Sequence, residues 1–303
     1  MDNNNSLNKL IKSAETGNVE AQYEIGEKYY NGEDIEEDKT LAVMWYAKAA
    51  EQGHAGAQLN LGGCYNNGEG VAQDYSQALK WLTQAAESGF AAAEYNLGNY
   101  YSNGIGIEQD YSQAIAWYTK AAEQGLSIAQ YELGHCYYGG KGVEQDYVKA
   151  VSWLKKANQN YATAQYALGI CYRNGYGVEQ DYLQAGEWFL KAAEQGHMGA
   201  QYDLSWGFTN GDIVEQNDAQ AIKWFDKLAQ QGDAVSQYML WLFHRANKGV
   251  EREQAVMWLM KAAEQEIENS KFELACCYHA GYGIEQDYEK AVTLLIDLEP
   301  ILK

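Results

Sequence analysis

Apolar and small residues recur in a fixed order that is clearest between residues 93 and 128, AEYNLGNYYSNGIGIEQDYSQAIAWYTKAAEQGLSI. Tyr95, Leu97, Gly98 and Tyr101 fall at helical spacing. After a polar break so do Ala114, Trp117, Tyr118, Ala121 and Ala122, which predicts two helices, A and B. Between them, residues 103–109 carry Gly104 and Gly106, whose backbone freedom stops helix A. Asp110 sits at the N-cap of helix B with Gln113 three residues on, and the same D-x-x-Q recurs at Asp74/Gln77 and Asp181/Gln184. Helix B ends at Gly125, whose equivalents Gly53, Gly89, Gly196 and Gly232 suit a left-handed C-terminal cap.

The first residue of this stretch maps onto Ala21, Ala57, Ala93, Ala129, Ala164, Ala200, Ser236 and Ser270, so the pattern predicts eight helical pairs stacked on their neighbours. Gly98 and Ala114 let the two backbones approach, with Trp117 and Tyr95 filling the space beside them. One pair cannot cover its own apolar faces, and the tryptophan accordingly repeats as Trp45, Trp81, Trp117, Trp153, Trp188, Trp224 and Trp258, which reads as core. The expected fold is all-α, a single solenoid over residues 1–303. A capping helix fills 1–18, repeats fill 19–287, and a C-terminal capping helix over 288–303 stops near Pro300. The paired loop glycines of units two to five follow helices rather than strands, so they read as turns and not phosphate cradles. Unit six departs from the pattern, with Ser205 for the helix A glycine, Ile213 for the second loop glycine and Asn217 for the capping aspartate. Unit seven places Trp241 at the glycine position and shortens its loop.

Composition removes several function classes. One proline in 303 residues and no long apolar run describe a folded chain without a bilayer span, and the N-terminus carries no apolar signal region. The net charge of −20 is spread over every unit, which makes nucleic acid and anionic membrane poor partners and favours a protein with a basic surface. Cys64, Cys136, Cys171 and Cys277 occupy one equivalent position in four different units. They read as free packing thiols in a reducing compartment, hence the cytoplasm. The five histidines do not cluster, the C-C-x-H stretch at 276–279 lacks a second ligand pair, and the carboxylates fall in turns and helix ends. No catalytic, cofactor or metal site is expected.

The pattern A-x-x-x-L-G-x-x-Y-x-x-G-x-G-[VI]-x-Q-D-Y-x-x-A-x-x-W-[YLF]-x-K-A-A-E-Q-G resembles the Sel1-like repeat, a relative of the tetratricopeptide repeat, over residues 7–302. The longer loop between Tyr101 and Ala114 and the missing closing proline separate it from the tetratricopeptide unit. The resemblance implies a right-handed superhelix whose A helices line the concave side. It also implies adaptor or scaffold duties in signalling, protein quality control and bacterial interactions with hosts. A cysteine-rich branch of that family is linked to penicillin-binding or β-lactamase activity, but its paired cysteines are missing here.

On helix A, the residues two and four places after the first belong to the core, while those three and six places on should point into the groove. The sixth reads Glu27, Gly63, Asn99, His135, Ile170, Trp206, Leu242, Cys276 and turns apolar at unit five. Met239, at a third position, and the extra Trp241 fall in the same region. Ile170, Trp206, Met239 and Leu242 are therefore the expected centre of a partner site, with Asp203 and Glu132 at its rim. The alternative is that these helices repack or form a homodimer. The expected function is a non-catalytic interaction scaffold; the alternatives are an immunity protein neutralising a basic toxin domain, or a β-lactamase-like enzyme.

Overall fold

Asp110 caps helix B as its position predicts. In a computed structural model of the chain its Oδ1 accepts from the backbone N–H groups of Ser112 (2.8 Å) and Gln113 (3.0 Å), and the helix runs Tyr111–Glu123. Asn217 keeps the same bond, accepting from the Gln220 N–H at 3.1 Å, so the loss of the carboxylate in unit six does not cost the cap. At the other end Gly53, Gly89, Gly125, Gly196 and Gly232 all have φ between 84° and 96°, the left-handed geometry expected of them.

The structure describes residues 2–157, 161–267 and 269–296, with side chains from residue 6 onward, and the expected stop near Pro300 lies outside them. Among the described residues there are seventeen α-helices and no strand. The chain divides into two compact units, Met1–Asn160 and Tyr161–Lys303. The first holds a leading helix α1 (Asp2–Glu15) and the pairs α2 (Val19–Asn31) with α3 (Lys39–Glu51), α4 (Ala55–Asn67) with α5 (Tyr75–Glu87), α6 (Ala91–Asn103) with α7 (Tyr111–Glu123), and α8 (Ser127–Gly139) with α9 (Tyr147–Ala157). The second holds α10 (Ala162–Asn174) with α11 (Tyr182–Glu194), α12 (Met198–Asn210) with α13 (Asp218–Gln230), α14 (Ala234–Arg245) with α15 (Arg252–Glu264), and α16 (Ser270–Ala280) with α17 (Tyr288–Ile296). Within each unit the helices pack on those before and after them in the chain, an all-α repeat solenoid.

Inside a repeat, the helix A glycine faces the residue after the tryptophan, not the tryptophan itself. A Cβ on Gly98 would lie 2.6 Å from the Tyr118 ring, and one on Gly169 2.5 Å from Phe189. Trp117 instead packs with Leu97, Ala93 and, from the preceding repeat, Ala85. A lysine three residues after most of the tryptophans lies over the indole, at 3.7 Å for Lys120 on Trp117 and Lys156 on Trp153, which covers an apolar face that would otherwise meet water.

Between repeats, a buried glutamine ties three helices together. Gln22 donates to the Ala14 carbonyl (3.1 Å) on the preceding helix and accepts from Gln52 (2.7 Å) at the end of the following one. Gln201 does the same with Ala193 (3.1 Å) and Gln231 (3.3 Å), and Gln237 with Ala229 (3.2 Å) and Gln265 (3.0 Å). The glutamine of the A-A-E-Q-G helix end is therefore part of the inter-repeat bond. Where unit two has Ser88 in its place, the buried Gln58 Oε1 has no hydrogen-bond partner.

The second loop glycine serves the same joint. A Cβ on Gly106, which has φ of 65°, would sit 2.5 Å from the Tyr75 Cβ at the start of the preceding B helix. Unit six has Ile213 there, and the fit is restored from the other side. Gly186 on α11 stands where the other B helices carry Val43, Leu79, Ile115, Val151, Ile222, Val256 and Val292, and a Cβ on it would lie 2.7 Å from Val214. Ile213 is buried, at 8% exposure.

Candidate partner-binding face

The groove positions of helix A answer to the helix B residue opposite. Where that residue is tyrosine, the sixth position accepts its hydroxyl: Tyr46 donates to Glu27, and Tyr118 to Asn99 at 2.7 Å. Where it is Phe189 or Phe225, no hydroxyl needs an acceptor, and the sixth positions are Ile170 and Trp206. Trp206 meets Phe225 edge-to-face, with centroids 5.7 Å apart and planes at 88°, and Tyr202 at 6.1 Å. At Ile170 and Trp206 the apolar side chain thus has a packing cause, while His135 stays polar opposite Leu154.

Ile170, Asp203, Trp206, Met239 and Leu242 all lie in the unit Tyr161–Lys303, and all are half-buried. Trp206, Met239 and Leu242 pack on one core cluster built around Phe225, Trp241, Phe243 and Leu259, whereas Ile170 packs on a second cluster with Phe189 and Leu204. Trp241 belongs to the core at 3% exposure. The Trp206 Nε1 is buried without a hydrogen-bond partner, so this side chain is only partly available from the groove and its removal would also loosen α12 against α13.

Asp203 is not a free rim acid. Arg173, nine residues into the preceding repeat, reaches its Oδ1 at 3.3 Å, and Arg245 pairs with Glu273 in the same way two repeats later. These arginines were legible in outline, since both occupy one repeat position and both acids another. The pairing becomes visible only when successive repeats are set side by side. Tyr202 and Phe272, exposed at 37% and 51%, extend the aromatic surface of the same helices. Glu132 lies on α8 in the unit Met1–Asn160, half-buried, and burial raises its carboxyl above the ordinary glutamate range.

The remaining titratable groups are held by the scaffold. Burial pushes the Cys64, Cys136, Cys171 and Cys277 thiols up to about 11, so they stay protonated at neutral pH. Cys276 is exposed while Cys277 is buried. His54 and His197 cap A helices, each ring Nδ1 accepting a backbone N–H, from Ala57 at 3.0 Å and Ala200 at 3.2 Å. Among the described residues no three His, Cys, Asp or Glu side chains are grouped to hold a metal ion, and no helix is long and apolar enough to cross a membrane.

The family model for the Sel1 repeat matches residues 19–54, 55–90, 91–126, 127–160, 162–197, 199–233, 241–266 and 269–296. The chain belongs to the Sel1 repeat family. No curated protein matches it. Two crystal structures of Sel1 repeat type are similar, each at 34% identity. One is a protective antigen present in uropathogenic Escherichia coli strains, with a TM-score of 0.58 over 95% of this chain and 70% of that one. The other is a Sel1 repeat protein from Oxalobacter formigenes, with a TM-score of 0.66 over 70% of this chain and 87% of that one. An immunity protein from Pseudomonas aeruginosa is 25% identical over 69% of this chain and 80% of its own, with a TM-score of 0.44. The Sel1 repeat matches begin two residues before the units marked by Ala21, Ala57 and Ala93, at the N-terminal ends of α2, α4 and α6.

Proposed function

We propose that this Sel1 repeat protein is a non-catalytic interaction scaffold. In this reading the A helices of Tyr161–Lys303 take an apolar segment of a partner protein. Ile170, Trp206, Met239 and Leu242 form the hydrophobic centre, and the Asp203–Arg173 pair lies at its edge. The observation that carries it is the half-burial of Ile170, Trp206 and Leu242 at the position where Gly63, Asn99 and His135 stand in the preceding repeats, with Met239 on the same core cluster as Trp206 and Leu242. The net charge of −20 favours a partner whose surface around that segment is basic. A second copy of the chain would have to bring a surface of the same negative sign to this face.

The test is a photo-crosslinking amino acid placed at Leu242, with one at Val148 as control, since Val148 is exposed at 68% on helix α9. In native host cells the Leu242 probe should give a discrete crosslinked polypeptide that the Val148 probe does not. Crosslinks only to further copies of the chain, or equal products from both probes, would overturn the reading. Purified protein should leave nitrocefin unhydrolysed; turnover above background would bring back the catalytic alternative.

A further inference from the structure

Gly63 has no structural reason to be glycine. It lies inside α4, six residues into its repeat, outside the left-handed region of φ, and a Cβ built on it meets no atom within 4 Å. Among the described residues every other glycine either has positive φ or would bring an added Cβ within 4 Å of a neighbour. Glycine is the poorest helix former after proline, so this one weakens α4 with no packing in return. What it does is leave space. The space is a cavity of about 420 Å³ in the unit Met1–Asn160, bounded by Glu27, Tyr30, Tyr46, Asn60, Gly63 and Asn96.

Glu27 lines that cavity, and the Lys39 ammonium lies over the neighbouring Tyr30 ring at 5.0 Å. The Tyr46 hydroxyl and the Asn60 Nδ2, at 2.6 Å, both donate to Glu27 Oε1 rather than to Oε2. Among the described ion pairs none includes Glu27, whereas Glu69, in the loop after α4, takes Lys39 at 3.3 Å and the Tyr30 hydroxyl. A half-buried carboxylate in no ion pair, in a cavity also lined by two tyrosine rings, is complementary to an ammonium or guanidinium group. The side-chain amides of Asn60 and Asn96 offer donors and acceptors, which suits the peptide groups flanking such a side chain.

We infer that the cavity over Gly63 is a pocket for one lysine or arginine side chain presented on an extended segment of a partner protein. It is a site separate from the apolar face proposed above, and it depends on other residues in the other compact unit.

The probes are three fluorescein-labelled pentapeptides of alanine with arginine, citrulline or glutamate at the centre, titrated by anisotropy against the full chain. The arginine peptide should bind at least tenfold more tightly than the citrulline peptide, and the glutamate peptide should not bind. Gly63→Leu fills the cavity without altering charge and should reduce arginine-peptide affinity tenfold or more, with the melting temperature held. Glu27→Gln should lose the preference for arginine over citrulline. Trp206→Ala should leave peptide binding unchanged, so a failure here is distinguishable from a failure of the apolar face. Equal binding of arginine and citrulline peptides overturns the inference, as does full affinity in Gly63→Leu, which would reduce the attraction to diffuse charge. A Gly63→Leu chain that unfolds overturns it too, since the space above Gly63 would then not be open. Spermidine competing as well as the arginine peptide would show that no polypeptide is required.

Discussion

Glu94 occupies a place that glutamine holds in most of the other repeats. It is 4% exposed and accepts from the Gln124 amide at 2.7 Å, but as a carboxylate it has nothing to donate to the preceding helix, where Gln130 reaches Ala122 at 3.0 Å. Burial raises its carboxyl above the ordinary glutamate value, with the Gln124 bond and Lys120 opposing. A raised folded-state value stabilises the fold below the ordinary glutamate range, and that contribution is lost as pH climbs through the raised one. Glu94→Gln should therefore be more stable than the natural chain at pH 7, by about 1 kcal/mol, the usual net worth of one hydrogen bond. The difference should shrink towards pH 4. Urea midpoints at the two pH values check this, and an equal difference at both would mean that the carboxyl does not titrate there.

Repeat six loses a loop glycine and the element before it supplies one. Gly186 and Ile213 are complementary across the joint between α11 and the loop that follows α12, so each substitution alone should be costly. Gly186→Val would drive a side chain into Val214, 2.7 Å from its Cβ, and overpacking of this kind costs about 1–3 kcal/mol. The double variant Gly186→Val with Ile213→Gly should recover part of that loss in thermal melts; a purely additive result would mean that the two do not share a joint. Period, caps and the tryptophan stripe were legible in the sequence because each depends on residues within one turn or one helix pair. The glutamine bonds were not, since Gln22 finds its partners eight residues back and thirty ahead, and a polar side chain at a helix end looks the same whether it meets water or a buried amide. The candidate face was legible as a row of positions. Its meaning was not, because Trp206 could be placed on helix A but its contact with Phe225 on helix B could not.

For the whole molecule, the proposed function assigns the arrival of a partner to charge and its retention to the helix faces. With 42 acidic against 22 basic side chains, association with a basic partner should be steered, and its rate should fall as salt rises from low to physiological strength. Stopped-flow measurement across a salt series reads this directly, and a flat rate would remove charge from the account. The dissociation rate should respond instead to the half-buried apolar side chains, whose remaining exposed surface a partner would cover. The most direct test of the scaffold reading is hydrogen exchange on the chain with and without its crosslink-identified partner. Added protection should concentrate on α10, α12 and α14, the A helices that carry Ile170, Trp206, Met239 and Leu242, with α11, α13 and α15 unchanged. Protection confined to those B helices would contradict it.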